Sequence, residues 1–294
     1  MTTIGFVGLG RMGAPMAARL VGHVDEVLVH DISADAVARL AALGAEAAGS
    51  AAALGERCDI VFMSLPMPPI VRDAAAMVVS GGSPRIVCDL STSGPALAQE
   101  LHELLTPKGI ASFDAPVSGG IRGAEQGTLA LMAGGPQVHW AELEPLLARL
   151  GKPFYMGETP GAGQTAKLAN NLLSLAAIAT TAEAMTLAIK GGLDPARMIE
   201  VLNAGTGRNS ATQDKWPRAV LPRTFDFGFS AQLSLKDTRL ALDEARAMGV
   251  QLPTGERLAA LLDRTLATYG DDADFTAMAK VVEADAGLDP ERSA

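Results

Sequence analysis

Short, largely apolar runs alternate with stretches of helical spacing through the first half of the chain. TIGFVG, EVLVHD, CDIVFMSLP, RIVCDLS and IASFDAPV read as strands. Between them lie MGAPMAARLVG, SADAVARLAALG, PPIVRDAAAMVVS and GPALAQELHELL, whose apolar residues recur three and four apart. TLALMAGG and KPFYMG add two strands, separated by the helical QVHWAELEPLLARLG. Alternating strand and helix predicts a mostly parallel sheet with helices on both faces. After Gly163 the pattern changes. Residues 164–190 read as one long helix stopped by Gly191-Gly192. DPARMIEVLNAG, a stretch around 230–248, GERLAALLDRTLATYG and a segment near 274–284 read as further helices, with no strand pattern among them. Two domains follow from this: an α/β domain over residues 1–163 and an all-α domain over 164–294, joined by the long helix.

Composition narrows the class. The 294 residues are 48% hydrophobic and 19% charged, enough to build a substantial core in each domain. The net charge of -9, with no run of Lys or Arg, argues against a nucleic-acid partner. Cys58 and Cys88 sit in apolar runs and read as small buried hydrophobes. No disulfide framework or zinc spacing is present, and His23, His30, His102 and His139 are scattered, so no metal is expected. Residues 1–10 read as a strand rather than a signal peptide, and a cytoplasmic protein is expected. The run from 159 to 182 is apolar enough to suggest a membrane span. Its Gln164, Lys167, Asn170, Asn171, Ser174 and threonines favour a buried helix and no membrane.

The first candidate chemistry is a glycine loop. Gly8, Gly10 and Gly13 form G-x-G-x-x-G in GLGRMG, enclosing Leu9, Arg11 and Met12, directly after a strand and at the start of a helix. Such glycines allow a tight turn, close approach to a pyrophosphate and close helix packing. That context makes the N-terminal domain Rossmann-like. The second strand ends in Asp31, placed to accept the adenosine ribose hydroxyls. A carboxylate there repels a 2′-phosphate, so NAD is expected over NADP. The strand ends Ser64-Leu65-Pro66 and Ser91-Thr92-Ser93 lie where open α/β sheets bind ligands. A helix start before the prolines and an N-cap for GPALAQELHELL are the bland alternatives.

The second is GAGQTAKLANN, Gly161 to Asn171. Lys167 is the only charged side chain between Glu158 and Glu183. Helical spacing puts Lys167, Asn170 or Asn171, and Ser174 on one face. A buried amine beside a second cation is suited to proton transfer. The alternative is a polar stripe with Lys167 reaching outward to water.

Taken in order, GLGRMGAPMAARL, DAPVSGG (Asp114 to Gly120), GAGQTAKLANN and LSLKD (Leu233 to Asp237) resemble the motifs of the β-hydroxyacid dehydrogenases. The resemblance covers essentially the whole chain. It implies an NAD-dependent oxidoreductase that interconverts a small 3-hydroxy acid, 3-hydroxyisobutyrate-like, and its semialdehyde or keto acid. Lys167 resembles the family's catalytic lysine and Asn171 the asparagine that assists it. Ser118, Gly119 and Gly120 resemble the segment that holds the substrate carboxylate. Lys236 resembles the lysine that closes over cofactor and substrate. Leu65, Pro66 and Thr92 match positions near the nicotinamide half of the cofactor. The family also implies a homodimer or homotetramer. Reduction of tartronate semialdehyde is the alternative within the same chemistry. A non-catalytic, dinucleotide-bound interaction protein is the alternative outside it. Imine reductases share the fold but lack the lysine. The resemblance departs at Asn209-Ser210, where family members often carry an aromatic residue. That departure leaves room for a more polar substrate.

Overall fold

The computed structural model of the chain describes residues 2–82 and 84–291. Contacts divide it into two compact units, Met1–Lys167 and Leu168–Ala294. The first contains β1 (Thr3–Val7), α1 (Gly13–Ala18), β2 (Glu26–His30), α2 (Ala34–Ala41), β3 (Glu46–Ala47), α3 (Ala51–Arg57), β4 (Ile60–Met63) and α4 (Pro68–Gly81). There follow β5 (Ile86–Asp89), α5 (Pro95–Leu105), β6 (Ala111–Asp114), β7 (Val117–Ser118), α6 (Gly120–Gln126), β8 (Leu129–Gly134), α7 (Trp140–Leu150) and β9 (Gly151–Gly157).

The strands form one sheet in the order β3-β2-β1-β4-β5-β6-β8-β7, with β9 paired to β8. The first six run parallel. β8 turns the sheet: it is antiparallel to β6 and β7 and parallel to β9. Period-two alternation sends successive residues to opposite faces. Ile4, Phe6, Val27, Val29, Ile60, Phe62, Ile86 and Cys88 pack on one face with Met16, Leu40, Leu143 and Leu147 of the helices there. Val7, Leu28, Val61, Met63 and Val87 pack on the other with Leu54, Val71, Val78, Leu97 and Leu101. Both faces are covered, which is why these strands read as continuous apolar runs rather than alternating ones. This is the Rossmann-like architecture that the sequence predicts.

Four elements among the described residues of the first unit escape the sequence pattern. β3 and β7 are two residues each, too short to show a period. α3 (AAALGER) has one large apolar residue, Leu54, and so no visible stripe. α6 starts inside the glycines of VSGG. Cys88 lies in β5, whereas Cys58 follows α3 and precedes β4. Both thiols are buried, and burial pushes Cys58 up to about 12 and Cys88 upward as well.

The second unit is helical. α8 (Ala162–Lys190) begins in the first unit and runs on through the second, so the division falls at Lys167/Leu168, inside the helix. The sequence placed a boundary at 163/164. After it come α9 (Pro195–Ala204), a π-helix (Ala211–Val220), α10 (Ala231–Ala247), α11 (Pro253–Tyr269) and α12 (Met278–Asp285). Leu175, Ile178, Ala182 and Met185 of α8 share a core with Trp216, Leu235, Leu258, Leu262, Phe275 and Met278. By length and composition α8 is apolar enough to cross a membrane. Its buried side supplies the centre of this core.

The π-helix has a local cause. Its repeat bonds each N–H to the carbonyl five residues back, as Leu221 N does to Trp216 O at 2.8 Å. Pro217 has no N–H, so the Thr212 carbonyl loses its partner in that repeat. Asn203 Nδ2 replaces it at 3.0 Å. Asn209 closes the other end: its Oδ1 accepts from Ala211 N at 2.7 Å and Thr212 N at 3.1 Å. The position that departs from the family pattern is therefore a helix cap.

Candidate functional site

The glycine loop lies at the carboxyl end of β1, where the winding of the sheet reverses between β1 and β4. Gly8 has φ of +91°, and its N–H donates to His30 O at 3.0 Å. A Cβ there would lie 2.3 Å from Ser64 O, and one on Gly13 would lie 1.9 Å from Gly8 O. Both positions therefore exclude any side chain. Gly10 differs. A Cβ on it meets nothing within 4 Å, so its exposed backbone leaves room for a phosphate to approach.

Asp31 ends β2 as predicted and is tied to the loop. Its Oδ2 accepts from Leu9 N at 2.6 Å and its Oδ1 from Ser33 N at 2.7 Å. Each oxygen retains a second lone pair for a ribose hydroxyl. Ser33, not Asp31, caps α2. Ile32, which the sequence reading passed over, is fully exposed beside Asp31. Met12 is half-buried and Arg11 exposed.

At the neighbouring strand ends, Leu65 N donates to Ser91 Oγ at 2.9 Å, and Pro66 is exposed. Thr92 is half-buried in the turn that leads to α5. Ser93 does not cap that helix. Gly94 holds the cap position, with φ of +87° and no side-chain bond, while Ser93 Oγ donates to Asp89 Oδ2 at 2.6 Å.

No motif role attaches to Gln164 or to the carboxylate of Asp114 in the sequence. Both are buried, with Gln164 0% and Asp114 5% exposed. Asp114 Oδ1 accepts from Gly161 N at 2.9 Å and Oδ2 from Gln164 N at 2.7 Å. The Gln164 side chain turns to the Ser91–Gly94 turn. Its Oε1 accepts from Ser93 N at 3.0 Å and Gly94 N at 3.1 Å, and its Nε2 donates to Ser91 O at 2.8 Å. Strand register places Asp89 beside Asp114. Burial pushes the Asp114 carboxyl up to about 7; the two amide bonds oppose the shift and Asp89 adds to it. A polar residue ending a fully buried strand was the only sequence signal.

Ser118 pairs with Ala130 across β7 and β8, and Gly119 and Gly120 follow with φ of +137° and +65°. Both glycines are exposed at the start of α6, so the turn requirement and an open backbone coexist here. Arg122 is exposed.

Lys167 and Asn171 lie one turn apart on α8, each 8% exposed. Asn170 is exposed, which settles the alternative in favour of Asn171 as the residue on the buried face. In the helical unit, Asn171 Nδ2 donates to Asp237 Oδ2 at 2.6 Å, and Lys236 Nζ pairs with Asp237 Oδ1 at 3.0 Å. Asp237, the last residue of LSLKD, thus fixes the amide orientation of Asn171 and neutralises Lys236. Lys215, on the π-helix, is buried and donates to Ser210 Oγ at 2.8 Å; burial lowers it to about 8.

Two family models match in tandem. The NAD-binding domain of 6-phosphogluconate dehydrogenase covers residues 3–157. The NAD-binding model of NADP-dependent 3-hydroxyisobutyrate dehydrogenase covers residues 161–282. The chain is 38% identical to 3-hydroxyisobutyrate dehydrogenase of Pseudomonas aeruginosa over 87% of this chain and 89% of that protein. It is 34% identical to 2-(hydroxymethyl)glutarate dehydrogenase of Eubacterium barkeri over 97% and 96%. Among solved structures, Mycobacterium tuberculosis 3-hydroxyisobutyrate dehydrogenase with L-serine superposes with a TM-score of 0.88 at 35% identity, covering 96% of this chain and 99% of that one. With these matches running through both units and the glycine loop built as a dinucleotide turn, the chain belongs to the β-hydroxyacid dehydrogenase family and is an NAD(P)-dependent oxidoreductase acting on a hydroxyl group.

Proposed function

We propose that the protein oxidises the primary hydroxyl of a small 3-hydroxy acid to the semialdehyde, with Lys167 as the acid–base group and NAD as the preferred cofactor. The observation that carries this reading is the buried Lys167, one helical turn before a buried asparagine whose amide is fixed. When bound, the nicotinamide supplies the hydride acceptor. Lys167 takes the hydroxyl proton during oxidation and returns it during reduction. Asn171 orients hydroxyl and amine without adding charge. Ser118 and the open backbone of Gly119 and Gly120 hold the substrate carboxylate, and Lys236, held by Asp237, takes the role of the lysine that closes over cofactor and substrate. Leu65, Pro66 and Thr92 line the nicotinamide end of the cofactor and Asp31 its ribose end.

The relatives' substrates support a chemical class. 3-Hydroxyisobutyrate, 2-(hydroxymethyl)glutarate and the L-serine of the Mycobacterium tuberculosis structure each carry a hydroxymethyl group on the carbon that bears the carboxylate. A 2-substituted 3-hydroxypropanoate is the class we assign, with the 2-substituent left to experiment. Reduction of tartronate semialdehyde is the same chemistry reversed. Leu173 and Leu187, 74% and 76% exposed on α8, favour a second copy of the chain as partner.

The test is NADH formation from NAD and a panel of such acids, beside simple alcohols. NADH is expected with at least one acid and with no alcohol lacking a carboxylate. Dinucleotide binding without turnover of any acid would overturn the proposed substrate class. The cofactor preference has its own test. Asp31→Ser removes the charge that faces the ribose, and the ratio of kcat/KM for NAD over NADP is expected to fall at least about tenfold, the scale of one charge-assisted hydrogen bond. An unchanged ratio would place the discrimination elsewhere.

A further inference from the structure

We infer that Asp114 and Gln164 are positioning residues that hold the first turn of α8, the helix that carries Lys167, in fixed relation to the Ser91–Gly94 turn, which carries Thr92. This rests on Lys167 being the acid–base group.

The geometry is a chain of bonds with no slack. Asp114, at the end of β6, accepts the N–H groups of Gly161 and Gln164, two of the donors that a helix start leaves without an internal partner. The same Gln164 gives its whole side-chain amide to the neighbouring turn, accepting from Ser93 and Gly94 and donating to Ser91. Asp89 secures that turn from beneath, accepting from Ser91 N at 2.9 Å and from Ser93 Oγ. Every side chain in this chain of contacts is buried, so none of the bonds exchanges readily with water. The backbone is also too close to shift. A Cβ on Gly163 would lie 2.0 Å from Met132 O and 2.7 Å from Asp114 O. The helix start therefore sits directly on β6 and β8, and Lys167 is one turn further along.

A fold-only role predicts loss of stability with kinetic constants intact in whatever folds. A positioning role predicts a split. Asp114→Asn keeps shape but turns an amide NH2 toward one of the two N–H donors, loosening the helix start. Its kcat is expected to fall roughly 10- to 100-fold, the cost of displacing a catalytic group by about 1 Å, with KM for NAD within about twofold of the parent. Gln164→Met leaves Ser93, Gly94 and Ser91 without their partner. The Thr92 turn is then released, and KM for NAD is expected to rise at least about fivefold. Amide hydrogen exchange should quicken over residues 161–168 in Asp114→Asn and over 91–94 in Gln164→Met.

Parental kcat and KM in both folded variants overturn the inference. So does an equal change of both constants in both variants. If Asp114→Asn does not fold, the Gln164→Met result decides alone. The underlying reading is tested separately with Lys167→Ala. An active Lys167→Ala protein refutes that reading; an inactive one beside unaffected Asp114→Asn and Gln164→Met refutes only the positioning role.

Discussion

Replacing Lys167 by alanine is expected to lower kcat by roughly 10²- to 10⁴-fold, the usual contribution of a positioned acid–base group, while NAD still binds. The separation follows from where the parts lie. The proposed dinucleotide contacts sit on Gly8 to Gly13, Asp31, Leu65, Pro66 and Thr92, at strand ends of the first unit. Lys167 sits on α8, after the Asp114 and Gln164 bonds are complete, so truncating it leaves that network whole. Titration of NAD by fluorescence, together with steady-state rates on the best acid of the panel, reads the two quantities independently. Lys167→Arg should not rescue activity, because a guanidinium stays protonated across the working pH range and cannot accept the hydroxyl proton. A Lys167→Ala protein that retained more than about a tenth of the parental kcat would remove the lysine from the chemistry.

The largest expected stability change is at Trp216. It is 2% exposed and fills the centre of the helical unit among residues of α8, α10 and α11. Trp216→Ala is expected to cost about 3–5 kcal/mol through lost burial and the cavity left behind. The chain's other tryptophan, Trp140, starts α7 in the sheet-bearing unit. In the variant, tryptophan fluorescence therefore follows the sheet-bearing unit alone, while far-UV circular dichroism is weighted toward the helices. The dichroism transition is expected to move to lower temperature by several degrees. Unchanged melting by both signals would mean that the site collapses at little cost.

Much of this molecule is legible one segment at a time. β1, β2, β4, β5 and β6 are buried on both faces and so appear as unbroken apolar runs, and the glycine spacing of Gly8, Gly10 and Gly13 announces its own turn. Lys167 stands out because nothing charged lies near it in sequence. What escapes is structure set by distant partners. Asp114 and Gln164 lie fifty positions apart and Asn171 and Asp237 sixty-six, and neither pairing leaves a local trace. The π-helix escapes for another reason. Its five-residue bonding does not match the helical period that pattern reading looks for, and Pro217 within it looks like a break.

That π-helix also constrains how the sequence can drift. Thr212 is 1% exposed, and its carbonyl depends on Asn203 because Pro217 offers no N–H. A lineage that first replaces Pro217 by an ordinary residue gains a backbone donor for Thr212 and frees Asn203 to vary. A lineage that first loses Asn203 strands a buried acceptor. The two positions are open to change in one order and closed in the other, so the history of this segment should run through residue 217 before residue 203.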